Sequence, residues 1–223
     1  MNMIFARENE KLKESILRLA GEVEMRLTEV LKAMERRDKE ALLLWMELDT
    51  ELDEREVQIE EECLKILALH QPVARDLRFV IAVLKINNDL ERIGDIVVNI
   101  ADRGVRLAAF PATDLQERIM LMGRLGREML KDSLDALIAL DVRKAVGVIA
   151  RDDEVDRLNV EIINGVIARA ATDNGGAMIE SLILIHSVAR DLERIGDHAT
   201  NIAEDVAYLV DGTIIRHKHA LQS

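Results

Sequence analysis

The heptad DLERIGD occurs at residues 89–95 and again at residues 191–197. An identity of that length within a 223-residue chain marks an internal duplication, and a duplicated chain folds into two like units. The match runs past the heptad, because DLERIGDIVVNIAD from Asp89 aligns with DLERIGDHATNIAE from Asp191 at an offset of 102. Upstream, Asp38, Asp49 and Asp53 align with Asp141, Asp152 and Asp156 at an offset of 103. One residue of difference therefore falls in the connection before the third helix of each unit.

Apolar residues recur at helical spacing almost throughout, and the interruptions divide the chain into six long segments. The first runs from about residue 7 to residue 36, and the second from about 38 to 70 with Asp38 as N-cap. Pro72 is expected at an early helical position, opening a third helix that reaches about residue 108. Pro111 then stops the chain and Thr113 caps a fourth helix that ends near Leu140. A fifth follows over about 141–171, and TDNGGA separates it from a sixth over about 177–212. The expected fold is all-α: two tandem, pseudo-symmetric three-helix bundles, one over residues 1–110 and one over residues 111–223. The presence of only two prolines, with few aromatic residues and abundant helix formers, excludes a β-rich architecture.

The charge sign narrows the function. A formal net charge of -12 opposes binding to nucleic-acid phosphates or to an anionic lipid surface. Aromatic residues make up 2%, which leaves no base-stacking platform. The N-terminal stretch MNMIFARENEKLKES places charges where a signal peptide needs apolar residues, and no run approaches the ~18 apolar residues of a membrane span. A cytoplasmic protein without membrane insertion is expected. The single cysteine, Cys63, lies within a helical pattern and reads as a buried, inert thiol.

On the third helix Ile86, Leu90, Ile93, Val97 and Ile100 share one face, while Glu91, Asp95, Asn99 and Asp102 share another. The sixth repeats both, with Ile195, Ala199, Ile202 and Val206 against Glu193, Asp197, Asn201 and Glu204. The second and fifth helices add Asp49 with Asp53 and Asp152 with Asp156, each pair four residues apart. A solvated face is the ordinary explanation of such residues. It is weakened here because carboxylates four apart repel and the same pattern, Asn included, recurs in both halves. Arg92 and Arg194 neutralise part of the charge.

Carboxylates with an amide oxygen form a hard, oxygen-only donor set, suited to magnesium, calcium, manganese or ferric iron and poor for zinc or copper. One pair on a single helix cannot enclose an ion, but two pairs on neighbouring antiparallel helices can. Asp49, Asp53, Glu91 and Asp95, with Asn99, would form one site; Asp152, Asp156, Glu193 and Asp197, with Asn201, the other. His186 and His198 are further candidates, weighed against buried, hydrogen-bonded roles; Ile96 stands opposite His198 in the first half. Gly94 and Gly196, unfavourable inside a helix by about 1 kcal/mol relative to Ala, are expected where a neighbouring helix comes close. No catalytic constellation is evident. A phosphate loop, a nucleophile beside a histidine and the Glu-x-x-His pairs of di-iron bundles are all missing. Three readings stay open: an interaction protein, a carboxylate metalloenzyme, and a plain helical scaffold.

The paired DLERIGD segments, the following NIAD and NIAE, and the stretches QPVARDLRFV and HSVARDLERIGDHATNIAEDV resemble the PhoU family of phosphate-transport accessory regulators. The resemblance covers nearly the whole chain. It implies a non-enzymatic, cytoplasmic homodimer that negatively regulates the phosphate-starvation response. The implied partners are the ATPase subunit of the phosphate ABC transporter and a phosphate sensor histidine kinase, with membrane association only through such partners. It also implies multinuclear metal at Asp49 with Asp53, Glu91 with Asp95, Asp152 with Asp156 and Glu193 with Asp197, with iron the first expectation and manganese or magnesium the alternatives.

Overall fold

A computed structural model describes residues 3–47, 50–173, 176 and 178–212. The first half contains α1 (Met3–Arg36), α2 (Lys39–Glu47), α3 (Thr50–His70) and α4 (Ala74–Leu107). The second contains α5 (Asp114–Ala139), α6 (Val142–Ile149), α7 (Asp152–Thr172) and α8 (Ile179–Asp211). The six-helix plan read from the sequence is thus observed, with the second and fifth helices each described as two pieces. Between α6 and α7 the chain turns at Ala150 and Arg151, which makes Asp152 the first residue of α7. Pro72 differs from its expected place: it lies ahead of α4, whose N-cap is the extended Val73.

The turns repeat along with the helices. Arg37 and Leu140, related by the offset of 103, both adopt left-handed backbone, with φ of 57° and 53°. Each precedes a capping aspartate: Asp38 Oδ1 accepts from Ala41 N–H at 3.1 Å, and Asp141 Oδ1 accepts from Arg143 and Lys144 N–H at 2.9 and 3.1 Å. The left-handed conformation costs a non-glycine residue about 1 kcal/mol, which a cap of about that size offsets. Arg37 contributes further, since its guanidinium donates to the carbonyls of Leu107 (3.1 Å) and Phe110 and ties the α1–α2 turn to the end of α4.

The two longest apolar stripes belong to α4 and α8, which pack together at the centre of the molecule. Ile86, Leu90, Ile93 and Ile100 on α4, and Leu192, Ile195, Ala199 and Ile202 on α8, are fully enclosed. At about 1.5–3 kcal/mol for each large aliphatic side chain removed from water, these stripes hold the halves together. The helices run antiparallel: Arg78 Nε donates to the Leu209 carbonyl at one end (3.4 Å), and Arg106 meets Glu180 at the other (3.0 Å). Helices α1, α2 and α3 pack on α4, while α5, α6 and α7 pack on α8. α3 crosses α4 and α7 crosses α8 on the sides that carry the two acid-rich faces.

Charged groups also cross the central contact. Asp89 accepts from Asn201 Nδ2 at 3.2 Å and pairs with His198 Nδ1 at 2.8 Å. Its repeat partner Asp191 pairs with Arg103, and Asp205 pairs with Lys85 at 3.0 Å. All three aspartates are buried, so each pairing meets a group whose unpaired charge would be costly. The first Asp of DLERIGD therefore serves the junction between halves, and the later Glu and Asp turn toward α3 or α7. Among the described residues no helix is long and apolar enough to cross a membrane.

Candidate metal centre

Glycine is what brings the acid-bearing helices together. A Cβ on Gly94 would lie 3.1 Å from Leu52 Cδ2 of α3, and one on Gly196 would lie 3.4 Å from Asp152 Oδ1 and 3.5 Å from Val155 Cγ1 of α7. Leu52 and Val155 are equivalent under the repeat. The missing side chain in each heptad thus admits the same rung of the neighbouring helix, as expected from the sequence. In the second half it also lays the Asp152 carboxylate directly on α8.

Asp152, Asp156, Glu193 and Asp197 come together as anticipated. Burial, with the charges of Asp197, Asp156 and Asp153, pushes the Asp152 carboxyl up to about 6. Burial and then Glu193 and Asp153 raise Asp156. Asp197 has an exposed edge, but desolvation of its carboxyl followed by Glu193 and Asp156 raises it as well, with His198 and Arg190 opposing. The cation nearest Glu193 is Arg190, at 3.3 Å one turn earlier, rather than the expected Arg194. These raised values share two causes, desolvation first and then the like charges of neighbouring carboxylates.

In the first half Asp53, Glu91 and Asp95 form the equivalent group, and Asp49 lies outside the described residues. Burial raises the Glu91 carboxyl, helped by Asp95, Glu56 and Asp53 and opposed by Arg92. Arg92 reaches Asp95 at 3.9 Å, as the i,i+3 spacing predicts, and also its chain neighbour Glu91 at 3.3 Å. Glu56 did not figure in the sequence reading. It lies one turn after Asp53 on α3, and Asn87 Nδ2 donates to its Oε1 at 2.8 Å and to its backbone carbonyl at 3.0 Å.

The two asparagine candidates part company with the carboxylates. Asn99 is exposed a turn beyond Asp95, and Asn201 donates across the central contact to Asp89. His198 shares that contact, and His186 is half-buried on α8 two turns ahead of Glu193. Cys63 is buried, and burial with the charges of Glu62 and Glu60 pushes its thiol up to about 12, well away from a reactive thiolate.

Among the described residues no three His, Cys, Asp or Glu side chains are already arranged to hold one metal ion. The donor chemistry nonetheless fits a hard cation: every converging group is an oxygen donor, and the crowding is of one sign. An ion there would remove the repulsion that raises Asp152, Asp156 and Asp197, and would draw α7 onto α8 by the same charges that now push them apart.

The PhoU domain model matches the chain twice, over residues 16–104 and 119–206. The chain is 43% identical over 168 residues to a Deinococcus radiodurans protein named phosphate-specific transport system accessory protein PhoU homolog, covering 74% of this chain and 77% of that protein. It is 34% identical over 210 residues to the Clostridium acetobutylicum protein of the same name, covering 94% and 95% of the two. The crystal structure of PhoU from Pseudomonas aeruginosa superposes with a TM-score of 0.88 at 34% identity, over 94% of this chain and all of that one. That of the phosphate transport system regulatory protein PhoU from Streptococcus pneumoniae gives 0.86 at 29% identity, over 95% and 99%. With its two halves each matched by the same domain and most of its length shared with these proteins, the chain belongs to the PhoU family.

Proposed function

We propose that this protein is a cytoplasmic accessory protein of a phosphate-specific transport system that represses the phosphate-starvation response when phosphate is plentiful. The observation that carries this reading is the double PhoU-domain match over two like halves, together with relatives, matched over 74% and 94% of this chain, that are named as accessory proteins of that transport system. It acts by contact and not by turnover. Its partners are the ATPase subunit of the transporter and the sensor histidine kinase, and it works as a homodimer of chains divided near residues 110 and 111.

Metal ions at the two acidic groups complete the proposal. In the first half Asp49, Asp53, Glu91 and Asp95 hold the ion; in the second Asp152, Asp156, Glu193 and Asp197 do, without Asn201, which is committed to Asp89. Iron is the first choice, and manganese or magnesium suit the same hard donors. Bound cations invert the local potential of an acidic surface, so metal content sets whether these faces repel or attract an anionic partner surface. Signalling then consists of a difference in partner affinity between two states of the protein.

The direct test is alkaline phosphatase activity in phosphate-replete cells of the source bacterium. Deletion of the gene raises that activity, and complementation returns it to the repressed level. Unchanged activity in the deletion strain, with no second PhoU-type gene present, contradicts the repressor role.

A further inference from the structure

The outward faces of α3 and α7 hold large aliphatic side chains in contact with water. Val57 and Leu64 of α3 are 49% and 53% exposed, and their equivalents under the repeat, Val160 and Ile167 of α7, are 56% and 60% exposed. In each helix the two lie seven residues apart, which stacks them two turns apart on one face. A single exposed aliphatic residue needs no explanation, but this recurrence does. The exposed positions around them differ between the halves: Glu54 aligns with Arg157, Glu61 with Asn164 and Lys65 with Ala168. Charge and polarity have changed at those positions, while both strips keep a branched aliphatic residue at the same two places.

The surrounding charges indicate what covers the strips. On α3, Glu54, Glu60 and Glu61 are exposed, and among the described residues no cation pairs with them. Lys65, the cation nearest to them in sequence, turns instead to Glu8 at 3.2 Å. On α7, Asp156 is exposed one turn before Val160, Glu161 pairs with Arg118 at 2.5 Å, and Arg157 folds back so that its Nε donates to the Asp153 carbonyl at 3.1 Å. An apolar strip edged by carboxylates complements an apolar strip edged by cations. Two such strips from separate copies of this chain would instead bring carboxylates onto carboxylates, which costs affinity.

We propose that the outer strips of α3 and α7 are a pair of docking sites for a basic amphipathic helix of a protein partner. The partner's aliphatic residues, spaced i, i+4 and i+7, cover Val57 and Leu64 or Val160 and Ile167, and its Lys and Arg residues meet the flanking carboxylates. This deepens the reading of the chain as a protein that acts by contact, and rests on it. Both strips begin one turn beyond Asp53 and Asp156, so docking requires no bound metal. Two like strips accept two like segments, and the α3 strip, with its unpaired glutamates, is the more sensitive to salt.

The test uses the full chain in a chelator and a fluorescein-labelled peptide of about 15 residues, with leucines on one helical face and lysines and arginines on the other, followed by fluorescence anisotropy. Two peptides are expected to bind per chain. Val57→Gln/Leu64→Gln and Val160→Gln/Ile167→Gln each remove one site, and the fourfold variant loses affinity by about tenfold or more; the substituted positions are exposed, so circular dichroism and thermal unfolding should stay unchanged. A peptide with glutamates in place of its basic residues should not bind. Unchanged affinity in the fourfold variant, or equal binding of the acidic peptide, overturns the assignment. So does a fourfold variant that sediments as a smaller species than wild type, because a second copy then covers the strips. In cells, the fourfold variant at wild-type abundance should lose repression of alkaline phosphatase, and retained repression overturns the strips as the regulatory contact. If the peptide experiment fails while gene deletion still raises the phosphatase activity, the docking assignment falls and the repressor reading stands.

Discussion

The Asp89 carboxylate of α4 meets the His198 imidazole of α8 at 2.8 Å, joining halves of the chain that are 109 residues apart in sequence. Both side chains are largely enclosed. His198→Ala leaves Asp89 with Asn201 as its remaining partner at this contact and should destabilise the protein by about 1–3 kcal/mol. In a double-mutant cycle with Asp89→Asn, urea unfolding should return a coupling of about 0.5–3 kcal/mol. Additivity within error would show that the pair contributes no cohesion between the halves.

Gly196 predicts a graded response to size. A methyl group there makes ordinary contact with Val155 and a slightly tight one with Asp152, and alanine gains about 1 kcal/mol of helix propensity over glycine. Gly196→Ala should therefore be neutral or stabilising in thermal unfolding. Gly196→Leu must push α7 off α8, costing about 1–3 kcal/mol and separating Asp152 and Asp156 from Glu193 and Asp197. Metal affinity of the second half should fall in the leucine variant and persist in the alanine one; equal affinity in both would mean that close helix approach does not assemble the site.

The crowded carboxylates set a pH dependence for metal-free protein. The Asp152 carboxyl is pushed up to about 6 in the folded state from an ordinary 3.8. Between those values the folded chain keeps a proton that the unfolded chain has lost, so this group's contribution to stability falls as pH rises from 3.8 to about 6 and is constant above. Metal-free Asp152→Asn should be more stable than wild type at pH 7, with the difference shrinking toward pH 4. A difference that is flat with pH, measured by denaturant unfolding in the presence of a chelator, would contradict the account of a like-charged, desolvated group.

Periodicity and the internal repeat made the helices legible, because a buried stripe such as Ile86, Leu90, Ile93 and Ile100 is written locally at 3.6-residue spacing. The role of Gly94 and Gly196 was legible for the same reason: a residue that weakens a helix twice at the same place points to something packed against it. Asp89 was given no role from sequence, since its partners His198 and Asn201 lie on the other half and no local pattern announces a contact between halves. The same contact explains why Asn201, aligned by spacing with Glu193 and Asp197, turns away from them. Glu56 was missed because comparing the halves favours what they share, and the second half has Asn159 there. The turn at Ala150 and Arg151 carries neither Gly nor Pro, so nothing in the local sequence marks it.

Each half is proposed to hold metal through its own carboxylates, and the metal content of the protein is the measurement that decides it. Protein loaded in turn with ferric iron and Mn²⁺ and washed free of excess would be analysed as wild type, Asp95→Asn, Asp197→Asn and the double variant. Each single substitution is predicted to remove the metal of its own half and leave the other, and the double variant to fall to background. A double variant that retains as much metal as wild type, or a wild type at background with both ions, would contradict it.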